Sequence, residues 1–184
     1  MDLNKAIKNR KSVRKFSSKM PDWRDVIECI DSARYAPMAG GNFTLKFILV
    51  SDKEKIKKIS MSAQQDFIAQ AHYVVVALSL PSRTLNSYGK RGEIYCRQQA
   101  GAAIQNFLLK IEEVGLATCW IGHFVEEQIK EELKIPAKAH VEAVFPVGYE
   151  FKKEKPSKKI ELDSILYFKT YGNKKMKSPN KQYV

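Results

Sequence analysis

The chain has 184 residues, 44% of them apolar, and a formal net charge of +12, which suits one folded domain with an ordinary core. Its apolar runs are much shorter than the ~20 residues a membrane-spanning helix needs, and the N-terminus lacks the apolar core of a secretory signal, so a cytoplasmic protein is expected. Cys29, Cys96 and Cys119 form no Cys-x-x-Cys pair and the three histidines are scattered, which argues against a disulfide framework and against a metal site.

Leu3 to Lys11 has helical spacing, with Asp2 as its cap. It delivers the stretch Asn9-Arg-Lys-Ser-Val-Arg-Lys-Phe16, which carries four cationic side chains and one hydroxyl. In an extended chain Arg10, Ser12 and Arg14 point to one side, and the guanidinium fork suits phosphate. The stretch therefore reads as an anion clamp, with a solvated basic face as the bland alternative. Asp22 caps a second helix whose stripe is Trp23, Val26, Ile27, Ile30 and Ala33 or Ala36, and Pro37 stops it. In Met38-Ala-Gly-Gly-Asn42 the paired glycines make a turn or let backbone amides approach a ligand closely.

Lys46 to Ser51 reads as a buried strand, Asp52 opens a charged helix, and Ser62 to Ala71 is expected to be helical as well. Tyr73 to Leu80, β-branched and apolar almost throughout, is expected to be a strand buried on both faces. Pro81 to Glu93 shows no core pattern and reads as a mobile loop, with Arg83, Tyr88 and Arg91 at the rim of a substrate site. Ile94 to Val114 is the longest helical pattern, and its small residues from Ala100 to Ala103 mark it as the centre of the fold or of a dimer interface. Leu116 to Ile121 is expected to be a strand closed by Gly122, and Val125 to Leu133 a short helix. Val141 to Tyr149 is a further strand, which Pro146 assigns to an edge or a bulge.

Residues 151–184 hold ten lysines and three acids, enough positive charge to raise a nucleic-acid reading. The segment lacks arginine, and Tyr167, Phe168 and Tyr171 lie among Ile160, Leu162, Ile165 and Leu166. That pattern reads as a packed arm rather than a base-stacking platform.

Four segments together resemble the flavin-dependent nitroreductase family over nearly the whole chain. Arg10-Lys-Ser-Val-Arg-Lys-Phe16 is similar to its opening Arg-Arg-Ser-x-Arg-x-Phe signature, and Ala36-Pro-Met-Ala-Gly-Gly-Asn42 to its Ala-Pro-Ser-Gly-Gly-Asn loop. Gln105-Asn106 with Gly115-Leu116 and Cys119-Trp-Ile-Gly122 resembles its central helix and flavin-backing strand. Pro146-Val-Gly-Tyr149 followed by Pro156-Ser-Lys-Lys159 resembles its closing region. The departures are Phe43-Thr-Leu45 in place of Gln-Pro-Trp, Gln99 in place of an acidic residue, and Lys159 or Lys158 in place of a late arginine.

The resemblance implies an α+β, nitroreductase-like fold: a mixed, largely antiparallel sheet flanked by helices, in an intertwined homodimer. One domain would span 1–184, its basic extension from 151 packing on the partner subunit. FMN would be held by Arg10, Lys11, Ser12 and Arg14, by Lys158 or Lys159, by Ile121 and Gly122, and by Pro37, Met38, Ala39, Gly40 and Gly41 of the second subunit. NADH or NADPH would reduce the flavin, which would then reduce a small acceptor of nitroaromatic or quinone type. Hydride transfer at flavin N5 needs no catalytic acid–base pair, and Arg14 beside Arg10 and Lys11 would supply the positive charge that favours reduced flavin. The alternatives are a flavin-binding or redox-sensing module without turnover and, further off, a basic nucleic-acid-binding protein; a membrane role is not expected.

Overall fold

A computed structural model of the protein describes residues 1–176; 177–184, the end of the basic extension, lie outside them. At the centre is a four-stranded sheet in the order β1 (Leu45–Val50), β2 (Tyr73–Ser79), β4 (His140–Gly148), β3 (Ala117–Thr118). Every pairing among the described strands is antiparallel. The largely antiparallel sheet and flanking helices expected of the chain are therefore present.

Each face of the sheet carries its own core because side chains alternate along a strand. Tyr73, Val75 and Ala77 of β2, with Ala143, Phe145 and Val147 of β4, face helices α2 (Trp23–Ala33) and α5 (Arg91–Glu113). Val74, Val76 and Leu78 face α3 (Lys53–Ala63) and α6 (Glu126–Leu133). Val141 and Val144 both join this second core although they are an odd number of residues apart. A bulge accounts for it: Ala77 pairs with Ala143 but Leu78 pairs with Val141, so Glu142 is the extra residue that resets the alternation. Val26, Phe107 and Phe145 are completely buried in the first core.

Four expectations are corrected. Pro81–Glu93 is not a mobile loop: Ser82–Tyr88 forms helix α4, and α5 begins at Arg91 rather than Ile94. Only Thr84 of α4 is buried, so the helix presents no apolar stripe. Its connection to α5 is tight, for a Cβ on Gly92 would lie 2.7 Å from the Thr84 carbonyl oxygen. Ser62–Ala71 is not one helix, because α3 ends at Ala63, Gln64 turns left-handed (φ 53°), and Asp66–Gln70 is a 3-10 turn.

The strand containing Pro146 is interior, not an edge, with β2 on one side and β3 on the other. Val144 N–H is donated to the Ile121 carbonyl, so the Pro146 nitrogen, two residues on, faces the same side. There it meets the gap between the Thr118 pairing and the Ile121 bridge, and no ladder bond is lost. The strand expected over Leu116–Ile121 is correspondingly reduced to Ala117–Thr118 and that one bridge.

Helix α6 is tied to the start of β4 by one carboxylate. Glu126 accepts from Val141 N–H at 3.0 Å and pairs with Lys130 at 2.7 Å. Burial pushes the Glu126 carboxyl up, but the Lys130 ammonium, the Val141 N–H and the charge of His140 outweigh it and leave it below its ordinary value. Its stabilisation is therefore present above the unfolded carboxylate pKa and is lost as pH falls through the lower folded one. Glu126→Gln is expected to cost about 1 kcal/mol near neutrality. Urea unfolding near pH 7 and again at about pH 3 checks this, the two proteins converging at the acid end.

Candidate functional site

Helix α1 (Leu3–Asn9) is capped by Asp2, whose carboxylate accepts from Asn4 N–H. The chain leaves it at Arg10 (ψ 123°) and runs on without helix or ladder to Phe16. What fixes this run is distant in sequence. Val13 N–H donates to the Thr118 carbonyl at 2.9 Å, Ser17 N–H to the Tyr149 carbonyl at 2.9 Å, and Phe151 N–H to the Lys15 carbonyl at 3.0 Å. Val13 and Phe16 turn inward and pack with Ala71 and Ala117. Phe16 lies so close over Gly148 that a Cβ there would stand 3.0 Å from its ring.

With Val13 and Phe16 buried, the polar residues of the stretch remain outside: Arg10 and Lys11 are half-buried, Ser12 and Arg14 exposed. They border two concavities. One, of about 380 Å³, is lined by Arg10, Lys11, Glu112, Thr118, Glu150 and Lys153, among others. The second, of about 450 Å³, is lined by Lys11, Ser12, Arg14 and Glu150, among others. Among the described residues Arg10 and Arg14 make no ion pair, whereas Lys11 lies 2.9 Å from Glu150. Burial, partly offset by Lys11 and Arg10, pushes the Glu112 carboxyl up. Thr118 lines the first concavity, and its buried Oγ1 has no hydrogen-bond partner among the described residues.

The Leu116–Gly122 segment enters beside the clamp through Thr118. Ile121 is buried and bridged to Val144, while Gly122 and Trp120 are exposed. Lys158 and Lys159 are both exposed, and Lys158 pairs with Glu161 at 3.1 Å. Among the described residues, Lys153 and Lys155 of the tail line the first concavity and Lys152 the second. The sequence reading does not single out these three lysines, nor Glu112, Thr118 and Glu150. The dense charge of the tail concealed the lysines, and no local pattern marks the other three.

The loop Pro37–Gly41 lies elsewhere; its Pro37, Met38 and Ala39 line a concavity of about 460 Å³ shared with Tyr95, Gln98 and Gln99. Gln99 organises it: Ala39 N–H donates to Gln99 Oε1 at 3.0 Å, and the Gln99 amide donates to the Thr44 hydroxyl. An amide can both accept and donate here, which a carboxylate cannot. Gly40 has φ +58°, and Tyr88 packs on it with its hydroxyl 2.8 Å from where a Cβ would stand. Tyr88 and Tyr95 meet edge to face at 5.2 Å, and Arg91 donates to the Tyr95 hydroxyl at 2.9 Å. Tyr88 and Arg91 thus border the glycine loop from two helices rather than from a loop.

An α+β domain of this architecture is a nitroreductase-type fold. A solved structure from Parabacteroides distasonis, named a provisional NADH dehydrogenase/NAD(P)H nitroreductase, superimposes with TM-score 0.82 at 23% identity, over 92% of this chain and 98% of that one. A structure titled FMN-dependent nitroreductase from Clostridium difficile gives TM-score 0.78 at 25% identity, over 90% of this chain and 98% of the other. A curated relative from Archaeoglobus fulgidus, provisionally named NADH dehydrogenase/NAD(P)H nitroreductase, is 29% identical over 150 residues, 79% of this chain and 83% of the relative. The model of the Nitroreductase family matches residues 7–65 and 59–149, and the chain belongs to that family. No helix among the described residues is long and apolar enough to cross a membrane.

Proposed function

We propose that the protein is an FMN-dependent oxidoreductase that takes electrons from NADH or NADPH and passes them to a small acceptor of nitroaromatic or quinone type. The observation that carries this reading is the hydrogen bond from Val13 N–H to the Thr118 carbonyl. It docks the cationic clamp directly on the segment that leads to Gly122, so a phosphate-binding end and a backing segment belong to one site.

The residues present suit FMN. Arg10 and Arg14, unpaired among the described residues, offer donor forks to a phosphate or to the polar edge of a planar ring. Ser12 adds a hydroxyl, and Thr118 Oγ1 is a buried polar atom awaiting a partner. When bound, FMN supplies the hydride and electron chemistry. The chain's part is to hold the phosphate, to back the ring with the Ile121–Gly122 backbone, and to keep positive charge beside the ring through Arg14. Lys158 or Lys159 is assigned a late phosphate contact. Tyr88, Arg83 and Arg91 are assigned to the substrate side, where two cations suit the anionic nicotinamide donor and an aromatic face suits a planar acceptor.

The working unit is a homodimer in which Pro37, Met38, Ala39, Gly40 and Gly41 complete the partner's flavin site. Apolar side chains left exposed on this chain support it: Leu3 and Ile7 on α1, Trp23 and Ile27 on α2, and Ile160, Leu162 and Ile165 on the extension. A donor of reduced nicotinamide places the reaction in the cytoplasm.

The test is optical. Purified protein reconstituted with FMN is expected to show flavin absorbance, to be bleached by NADH or NADPH without oxygen, and to recover its colour when a quinone or nitroaromatic is added. Failure to take up FMN overturns the reading, and a bound flavin that neither nicotinamide bleaches reduces it to a sensing or storage role. Sedimentation reports the dimer in the same samples.

A further inference from the structure

We propose that Glu150 is a built-in counter-anion that sets how strongly the site prefers a phosphorylated flavin over its unphosphorylated form. The inference rests on the FMN reading above. It starts from an inconsistency in the clamp's charge: three cations line the stretch from Arg10 to Arg14, but they are not equally available.

Lys11 is already engaged. Its ammonium lies 2.9 Å from Glu150 Oε1, with each side chain only 18% exposed, and it also donates to the backbone carbonyl of Glu154. Glu154 N–H in turn donates to Glu150 Oε1 at 3.3 Å, which closes a ring of three residues and fixes the carboxylate. Glu150 lines both concavities bordered by the clamp, with Arg10 in one and with Ser12 and Arg14 in the other. Glu112 and Glu154 also line the first. Opposing these three acids there are Arg10, Lys11, Lys153 and Lys155.

The consequence is selective. Riboflavin and FMN share the ring and the ribityl chain and differ in a phosphate that carries close to two negative charges near neutrality. A phosphate entering beside Arg10 meets a lysine whose charge is largely cancelled by Glu150, and it meets the repulsion of that carboxylate as well. The neutral form feels neither effect. Glu150 therefore weakens FMN while leaving riboflavin nearly untouched, so the preference for the phosphate is smaller than the number of cations suggests.

The test titrates full-length wild type, Glu150→Gln, Lys11→Met and the double variant with FMN and with riboflavin, following quenching of flavin fluorescence. Glu150→Gln keeps the side chain's shape and is expected to tighten FMN about tenfold with riboflavin changed less than about twofold, since one charge-assisted contact is released. Lys11→Met leaves the carboxylate uncompensated and is expected to weaken FMN alone. The double variant is expected to return towards wild type. Circular dichroism shows which variants fold, and the lysine variant carries the test if the glutamine variant does not. An unmoved or lowered FMN-to-riboflavin ratio in Glu150→Gln, or riboflavin following FMN in both single variants, overturns the proposal. Wild type that quenches neither flavin overturns the flavin reading instead, so the two failures are distinguishable.

Discussion

Phe107→Ala is expected to destabilise the protein by about 3–5 kcal/mol, the largest effect of any single truncation considered. Phe107 is fully buried on α5 and meets Phe145 of β4 edge to face at 5.2 Å, with the ring planes 62° apart. Phe145 also touches Trp120 at 5.8 Å, so the three rings bridge the long helix, the interior strand and the segment leading to Gly122. Removing the Phe107 ring, at the helix end of this row, loses the transfer free energy of the side chain and leaves a cavity between a helix and a sheet that cannot close independently. Urea denaturation measures it: the midpoint falls, while an unchanged slope shows that the native fold is retained. A loss below about 1 kcal/mol would show that the helix can settle onto the sheet without its ring.

Arg10→Ala is expected to weaken FMN by about 1.5–3 kcal/mol, roughly ten- to a hundredfold in Kd, by deleting a charge-assisted contact in a partly enclosed site. Arg10 is half-buried and borders the same concavity as Glu112, and no ion pair occupies it among the described residues. Its full charge is therefore available to a ligand, in contrast to that of Lys11. Riboflavin titrated in parallel is the control, since it lacks the phosphate and its affinity is expected to change little. Equal losses for both flavins would place Arg10 against the ring or the ribityl chain rather than the phosphate.

Much of this was legible in the residues. The unbroken run of Tyr73 to Leu80 announces an interior strand because a sheet covered by helices on both sides needs no polar face. The long helix α5 follows from helical periodicity; in α2 the periodicity finds the buried Val26 and Ala33 but also counts Trp23 and Ile27, which are exposed. Other features left no local mark. Helix α4 buries only Thr84, so periodicity has nothing to report there. Pro146 suggests an edge or a bulge, yet β4 is interior and its bulge lies at Glu142; the proline is accommodated because its missing donor falls opposite a gap. The partners of Lys11 lie at the far end of the domain, and a contact between two such distant segments is a property of the fold alone.

The way the clamp is fastened has a consequence for biosynthesis. Residues 10–17 leave the ribosome well before the groups that hold them, the Thr118 and Tyr149 carbonyls and the Phe151 amide. Closing loops of that length before any contact rewards them is slow and entropically costly. A nascent chain thus displays its cationic stretch as an untethered segment throughout most of synthesis. The stretch is locked only when the last strand pairs, so its final placement reports completion of the domain and arises in one late step.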